Sequence, residues 1–195
     1  MRSGLTLYFV RHGETDWNAE RRYQGQTDVP LNERGRTQSR RNGEAMRAFL
    51  PGLASADFVA SPLSRAQETM QILRASLGLD PNGYRVDSRL LELSYGSWEG
   101  RLQDELPVTD PQGLANRQSD PFHWRPVGGE SYADLLKRTI DWLETLERDT
   151  VVASHGGVSR CLRAHLLGLD PATIPDLESP QDQVLVVANG SVNWV

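Results

Sequence analysis

The sequence predicts an α/β fold, a three-layer sandwich with a mainly parallel central sheet flanked by helices on both faces. Two observations carry this. Short runs at residues 5–10 (LTLYFV), 58–60 (FVA), 150–154 (TVVAS) and 184–188 (VLVVA) are almost free of polar interruption, as strands buried on both faces are. Between them lie segments with helical period and helix punctuation, and strands alternating with helices are the pattern of a parallel sheet. With 195 residues and no Gly/Ser- or Pro-rich linker, a single domain spanning 1–195 is expected.

The elements follow in order. The first strand stops abruptly at Arg11-His12-Gly13-Glu14. Residues 15–31 lack a regular period and carry Gly25 and Pro30, which predicts a loop over the end of that strand. Asn32 is placed to cap a helix running to about residue 50, ended by Pro51-Gly52. After the second strand, Ser61-Pro62 turns the chain into a helix from about 64 to 77, closed by Gly78. Tyr84-Arg85-Val86 reads as a third, short strand. Residues 90–118 are irregular, broken by Gly96, Gly100, Pro107 and Pro111, and a lid-like segment is expected at about 95–128. Ser131, with Asp134 three residues on, has the form of a capping box. In the helix it starts, Leu135, Leu136, Ile140, Leu143 and Leu146 share one face, and Asp141, Glu144 and Glu147 stay outside. The strand at 150–154 runs into His155-Gly156-Gly157 and a helix to about 167. The strand at 184–188 pairs with 192–195 as a hairpin across Asn189-Gly190.

Composition narrows the function classes. A hydrophobic content of 38% and a charged content of 24% are those of a soluble globular chain. A formal net charge of -5 argues against nonspecific nucleic-acid binding. The apolar run near the N-terminus is too short for a secretory or membrane segment, so a cytoplasmic protein with no membrane partner is expected. The single cysteine, Cys161, fits a reducing compartment and reads as a buried apolar residue on a helix, not a nucleophile. Lys137 is the one lysine, and arginines crowd the first quarter of the chain. Most of them read as a solvated helix face, but Arg11 stands at a strand end.

Open α/β sheets bind ligands in the crevice beyond the carboxyl ends of their strands. Three predicted strand ends carry unusual residues: Arg11-His12, Ser61 to Arg65, and His155. If the strands are parallel, these groups converge. Two histidines, two arginines and Asn18 around one point suit a dianionic tetrahedral group, because guanidinium forks match phosphate oxygens. There is no Walker loop, Cys-rich site or His-Glu-x-x-His segment, so neither metal nor other cofactor is expected. From the residues alone Glu92 is either an ordinary exposed carboxylate or a catalytic one. His123 is either a loop residue or a substrate contact, and His165 reads as a surface-proximal histidine.

Arg11-His12-Gly13-Glu14-Thr15 after a first strand resembles the hallmark of the histidine phosphatase superfamily. So do, in order, YQGQTDVPL (23–31), NERGRTQ (32–38), SPLSRAQET (61–69), LLELSYGSWEG (90–100), GGES (128–131) and SHGG (154–157). The resemblance covers most of the chain and implies a phosphomonoesterase that works on small phosphorylated metabolites through a phosphohistidine on His12. It implies that Arg11, Asn18, Arg65, His155 and Gly156 hold the phosphoryl group. Glu92 is implied as acid and base, with Glu14 and Glu99 as runners-up. Gln24, Gly25, Thr27, Arg101 and His123 are expected at the substrate. Family mutases resemble chains with a longer insertion after the Gly-x-Trp-Glu-Gly motif that carries adjacent arginines. Between Gly100 and Gly128 this chain has only Arg101, Arg117 and Arg125, none adjacent, which favours hydrolysis over phosphoglycerate mutase activity. A metal-dependent hydrolase using the same histidines and a noncatalytic phosphate-binding module are the weaker alternatives. A phosphorylated small molecule is the expected partner, and self-association is left open.

Overall fold

The computed structural model describes residues 4–49, 53 and 55–195. Its strands are β1 (Leu7–Arg11), β2 (Asp57–Ala60), β3 (Arg85–Val86), β4 (Thr150–Ser154), β5 (Val184–Ala188) and β6 (Ser191–Trp194). They form one sheet in the order β3-β2-β4-β1-β5-β6. β1, β2, β3 and β4 are mutually parallel, while β5 runs antiparallel to β1 and β6 to β5. The expected α/β architecture is therefore the observed one. The main helices are α1 (Asp16–Ala19), α2 (Glu33–Met46), α3 (Ser64–Ser76), α4 (Leu106–Thr109), α5 (Pro111–Ser119), α6 (Tyr132–Leu143) and α7 (Gly156–Leu167).

The uninterrupted apolar run of β1 is explained by a core on each side of it. Leu7 and Phe9 pack with Leu135, Trp142 and Leu143 of α6 and with Val158 and Leu162 of α7. Tyr8 and Val10 face the opposite way, onto Met46 of α2 and Met70 and Leu73 of α3. Side chains alternate across a strand, so only a three-layer arrangement buries all four.

Several elements differ from expectation. Residues 15–31 are not all loop, because Thr15 and Asn18 form a capping box that starts α1. Residues 90–118 hold more helix than the breakers suggested: Pro107 and Pro111 sit inside the first turns of α4 and α5, where a missing N–H costs nothing. Ser131 and Asp134 do form the capping box of α6, but the helix ends at Leu143 and Leu146 packs from beyond it. The buried face also takes in Thr139 and Trp142, which the stripe of leucines and Ile140 leaves out. α2 passes into a 3-10 turn at Arg47–Phe49, and the predicted Pro51-Gly52 stop lies outside the described residues. The Asn189-Gly190 hairpin is present, with both residues left-handed at φ 50° and 78°, as a two-residue type I′ turn requires. Among the described residues no helix is long and apolar enough to cross a membrane.

The parallel ladder continues past the strand ends. His12 N–H donates to the Ser154 carbonyl at 2.8 Å and Ser61 N–H to the Ala153 carbonyl at 3.0 Å. This puts His12, Ser61 and His155 side by side on one edge of the sheet. Just beyond His12 the chain is pressed against the start of α2. A Cβ on Gly13 would fall on the Gly35 carbonyl, and one on Gly35 on the Glu14 carbonyl, so two glycines back to back allow that approach.

Candidate active site

His12 is 2% exposed, with Nδ1 2.7 Å from the Gly13 carbonyl. A carbonyl only accepts, so Nδ1 carries the proton and Nε2 presents a lone pair. Arg65 Nε–H points at that Nε2 from 3.3 Å. Burial first, then the charges of Arg65 and Arg11, holds His12 well below the ordinary value of 6.5. The product is a neutral imidazole whose unprotonated Nε2 accepts from Arg65 and has a second cation, Arg11, nearby.

The cations are fixed by carbonyls. Arg65, fully buried on the first turn of α3, donates to the Gly25 carbonyl at 2.7 Å and the Thr27 carbonyl at 2.8 Å. The start of α3 is in turn capped from outside, by Asp28 accepting Ser64 N–H at 2.8 Å. Arg11 Nη1 donates to the Ser179 carbonyl at 2.5 Å, and its Nε is buried without a hydrogen-bond partner among the described residues. Burial and then Arg160 push Arg11 down to about 10, so it is still a cation at neutral pH.

His155 stacks edge-on to His12, with ring centroids 5.1 Å apart. Its Nε2 lies 2.7 Å from Ser61 Oγ, which also accepts Leu63 N–H at 3.4 Å. His155 Nδ1 is buried and without a partner among the described residues. Arg11 Nε–H is a donor that an oxyanion satisfies, and so is His155 Nδ1 in the tautomer protonated there. Asn18 Oδ1 is occupied by Thr15 N–H at 3.2 Å and Gln181 Nε2 at 3.1 Å, leaving its amide N–H groups for the same ligand.

Glu92 reaches the site from an irregular segment and is held at the N-terminus of α7. Its Oε1 accepts Leu93 N–H at 2.8 Å and Gly157 N–H at 3.0 Å. A Cβ on Gly157 would fall on that oxygen, which accounts for the second glycine of the His155-Gly156-Gly157 turn.

A cavity of about 130 Å³ joins these groups. Arg11, His12, Asn18, Arg65, Glu92 and Gly156 line it, and Gln24 and Gly25 form part of its wall. Thr27, Arg101, His123 and the fully buried His155 do not. The Thr27 hydroxyl is tied to Glu99 at 2.6 Å, His123 is exposed beside Asp120 at 3.1 Å, and Arg101 lies on the Asp110 side of segment 95–128. Glu99 accepts the N–H groups of Gln26, Thr27 and Tyr95, which makes it the organiser of the loop rather than an acid. Glu14 faces Asn32 and Arg34, away from the cavity. Five lining residues had not been anticipated: Arg22, Tyr23, Tyr95, Gln103 and Arg160. Arg160 was the most readable of these, one helical turn after Gly157 and facing the same end. Among the described residues, no three His, Cys, Asp or Glu side chains group as metal ligands would.

The buried histidines set a pH dependence. His155 is also held well below 6.5, by burial and then by Arg65, His12, Arg138 and Arg11. Unfolded, both rings take up a proton near 6.5; folded, they do so only well below it. Unfolding therefore consumes protons below 6.5, and stability is lost as pH falls through that value, by up to about 1.4 kcal/mol per pH unit for each ring. Urea midpoints should fall between pH 7.5 and pH 5.0. Equal midpoints would mean that the rings titrate normally in the fold.

A sequence model described as the histidine phosphatase superfamily (branch 1) matches residues 7–195. A relative described as probable phosphoglycerate mutase GpmB, from Salmonella paratyphi C, is 38% identical over 170 residues, 85% of this chain and 76% of the relative. The vanadate-bound structure of a mycobacterial glucosyl-3-phosphoglycerate phosphatase superposes with a TM-score of 0.76 at 31% identity, covering 98% of this chain and 96% of that one. The alpha-ribazole phosphatase of Shigella flexneri shares the fold, with a TM-score of 0.81 at 23% identity over 98% and 95% of the two chains.

Proposed function

The chain belongs to the histidine phosphatase superfamily, and on that premise we propose that it hydrolyses small phosphomonoesters, without a metal, through a phosphohistidine on His12. One observation carries the reading: Nδ1 of a buried, neutral His12 is tied to the Gly13 carbonyl, which leaves Nε2 unprotonated beside Arg65. His12 Nε2 attacks phosphorus in line as the ester P–O bond breaks. Glu92 gives its proton to the leaving oxygen. Arg11, Arg65, Asn18 and the Nδ1–H of His155 take up charge on the equatorial oxygens, where positioning and electrostatics supply most of the catalysis. Glu92 then removes a proton from water, which attacks phospho-His12; the P–N bond breaks, inorganic phosphate leaves and His12 is regenerated.

Metal independence is supported by the donor set, since guanidinium groups and imidazoles surrounding a single carboxylate favour oxyanions over divalent cations. A cytoplasmic setting is supported by Cys161 being the one cysteine of the sequence, with no second cysteine for an internal disulfide. Hydrolysis rather than mutation of phosphoglycerate is supported by the rim. Arg101 does not line the cavity, Arg117 packs on Tyr23, donating to its hydroxyl at 2.7 Å, and Arg125 pairs with Asp134 at 3.1 Å. The GpmB relative keeps the mutase as second reading, with Arg22 and Arg160 as its carboxylate candidates. A panel of phosphorylated metabolites that includes both monophosphoglycerates, with phosphate release and isomerisation measured together, separates the two. Phosphate release should dominate, survive EDTA and be blocked by vanadate. Isomerisation faster than release, stimulated by a bisphosphoglycerate, would establish the mutase. Loss of activity on chelation, restored by zinc or manganese, would establish a metal-dependent hydrolase.

A further inference from the structure

Arg138, on α6, forms the most extensively bonded guanidinium near the site without lining the cavity. Nη1 donates to the carbonyls of Arg89 at 2.7 Å and Leu91 at 2.6 Å, and Nη2 to the carbonyl of Glu92 at 2.9 Å. Its other face grips Glu130, with Nε 3.0 Å from Oε1 and Nη2 2.9 Å from Oε2. Glu130 Oε2 in turn accepts Ser94 N–H at 3.0 Å. Gln26 Nε2 donates to the same Glu92 carbonyl at 3.0 Å and to Glu130 Oε2 at 3.4 Å. The peptide on either side of Glu92 is thus held by one charged pair, which is itself half-buried, at 19% and 26% exposure.

We propose that the Arg138–Glu130 pair is the positioning device for Glu92, fixing the backbone of the acid so that its carboxyl meets the leaving oxygen; this rests on the phosphatase reading above. Glu92 sits in a segment with no strand or long helix to hold it, between a 3-10 turn at Ser88–Leu90 and another at Gly96–Trp98. Its carboxylate is anchored by two amides, but those amides orient the carboxylate only if the Cα stays in place. A planar fork that bonds three carbonyls and a carboxylate sets that position in a way a lysine point charge does not.

The test separates positioning from simple support of the fold. Protonation matters for a poor leaving group and hardly at all for a good one. The value of kcat/KM covers only the steps up to release of the first product, before Glu92 acts as base. It should be measured for wild type, Arg138→Met, Arg138→Lys and Glu92→Gln over a series from dinitrophenyl phosphate to alkyl phosphates. For Arg138→Met a loss of roughly 10- to 100-fold is expected on alkyl phosphates, with dinitrophenyl phosphate nearly unchanged. Glu92→Gln should show the same steepening more strongly, and Arg138→Lys should recover little. If Arg138→Met does not fold, Glu130→Gln is read in the same series, because it removes the ion pair while keeping the shape. Equal loss on every substrate, or none, overturns the positioning role. Absence of phosphate release by the wild type from the whole series instead overturns the phosphatase reading, and with it the reaction that Arg138 would serve.

Discussion

His12→Ala should abolish phosphate release, by ~10⁴-fold or more, because no other group in the cavity offers an unprotonated ring nitrogen to phosphorus. The neighbouring imidazole is not a substitute, because His155 is fully buried and does not line the cavity. The same variant should fail to form the acid-labile, base-stable adduct that wild type gives on brief incubation with a phosphomonoester and rapid quench. Removal of a buried neutral ring should at the same time lessen the loss of stability below pH 6.5. A His12→Ala protein that turns over normally would move the nucleophile elsewhere.

Arg65 carries the second large effect. Replacing it by Met should lower kcat/KM by ~10³-fold or more, the scale of a charge-stabilising arginine in phosphoryl transfer. One guanidinium reaches His12 Nε2 and the Gly25 and Thr27 carbonyls together. The variant therefore loses both charge at the phosphoryl group and the tie between α3 and the 23–31 loop. Lysine cannot reproduce that fork, so Arg65→Lys should still be down by ~10²-fold. A loss under tenfold for Arg65→Met, at unchanged thermal stability, would remove Arg65 from the phosphate site.

What the sequence made legible divides along physical lines. Strands buried on both faces announce themselves, and β1, β2 and β4 were readable because each is a continuous apolar run. Parallel pairing then dictated that Arg11-His12, Ser61 and His155 meet, so the centre of the candidate site followed from topology. Segment 95–128 was not legible, because its prolines sit where helices begin, and a breaker inside a helix and a starter at its N-terminus are the same residue type. The rim was readable only in part. Gln24 and Gly25 line the cavity, but Thr27 one turn on does not, since its hydroxyl goes to Glu99. Nor could spacing reveal that Ser179 and Gln181, more than 160 positions away, would bond Arg11 and the His12 carbonyl. Such contacts depend on where a distant loop lands, and that is set by packing.

The position of β1 between β4 and β5 has a consequence for how the protein comes into being. β1 is made well before the strands it pairs with, Leu7 lying opposite Thr150 on one side and Val187 on the other. At ~5–20 residues per second, a ribosome carries that strand for roughly ten to thirty seconds before either neighbour exists. Throughout that interval four apolar side chains and two bare ladder edges are open to other chains, which is the condition under which nascent polypeptides aggregate or are held by chaperones. His12 is thus translated well before the strands that flank its own, and a peptide released before β5 is made would have neither a complete sheet nor the loop that carries Ser179 and Gln181.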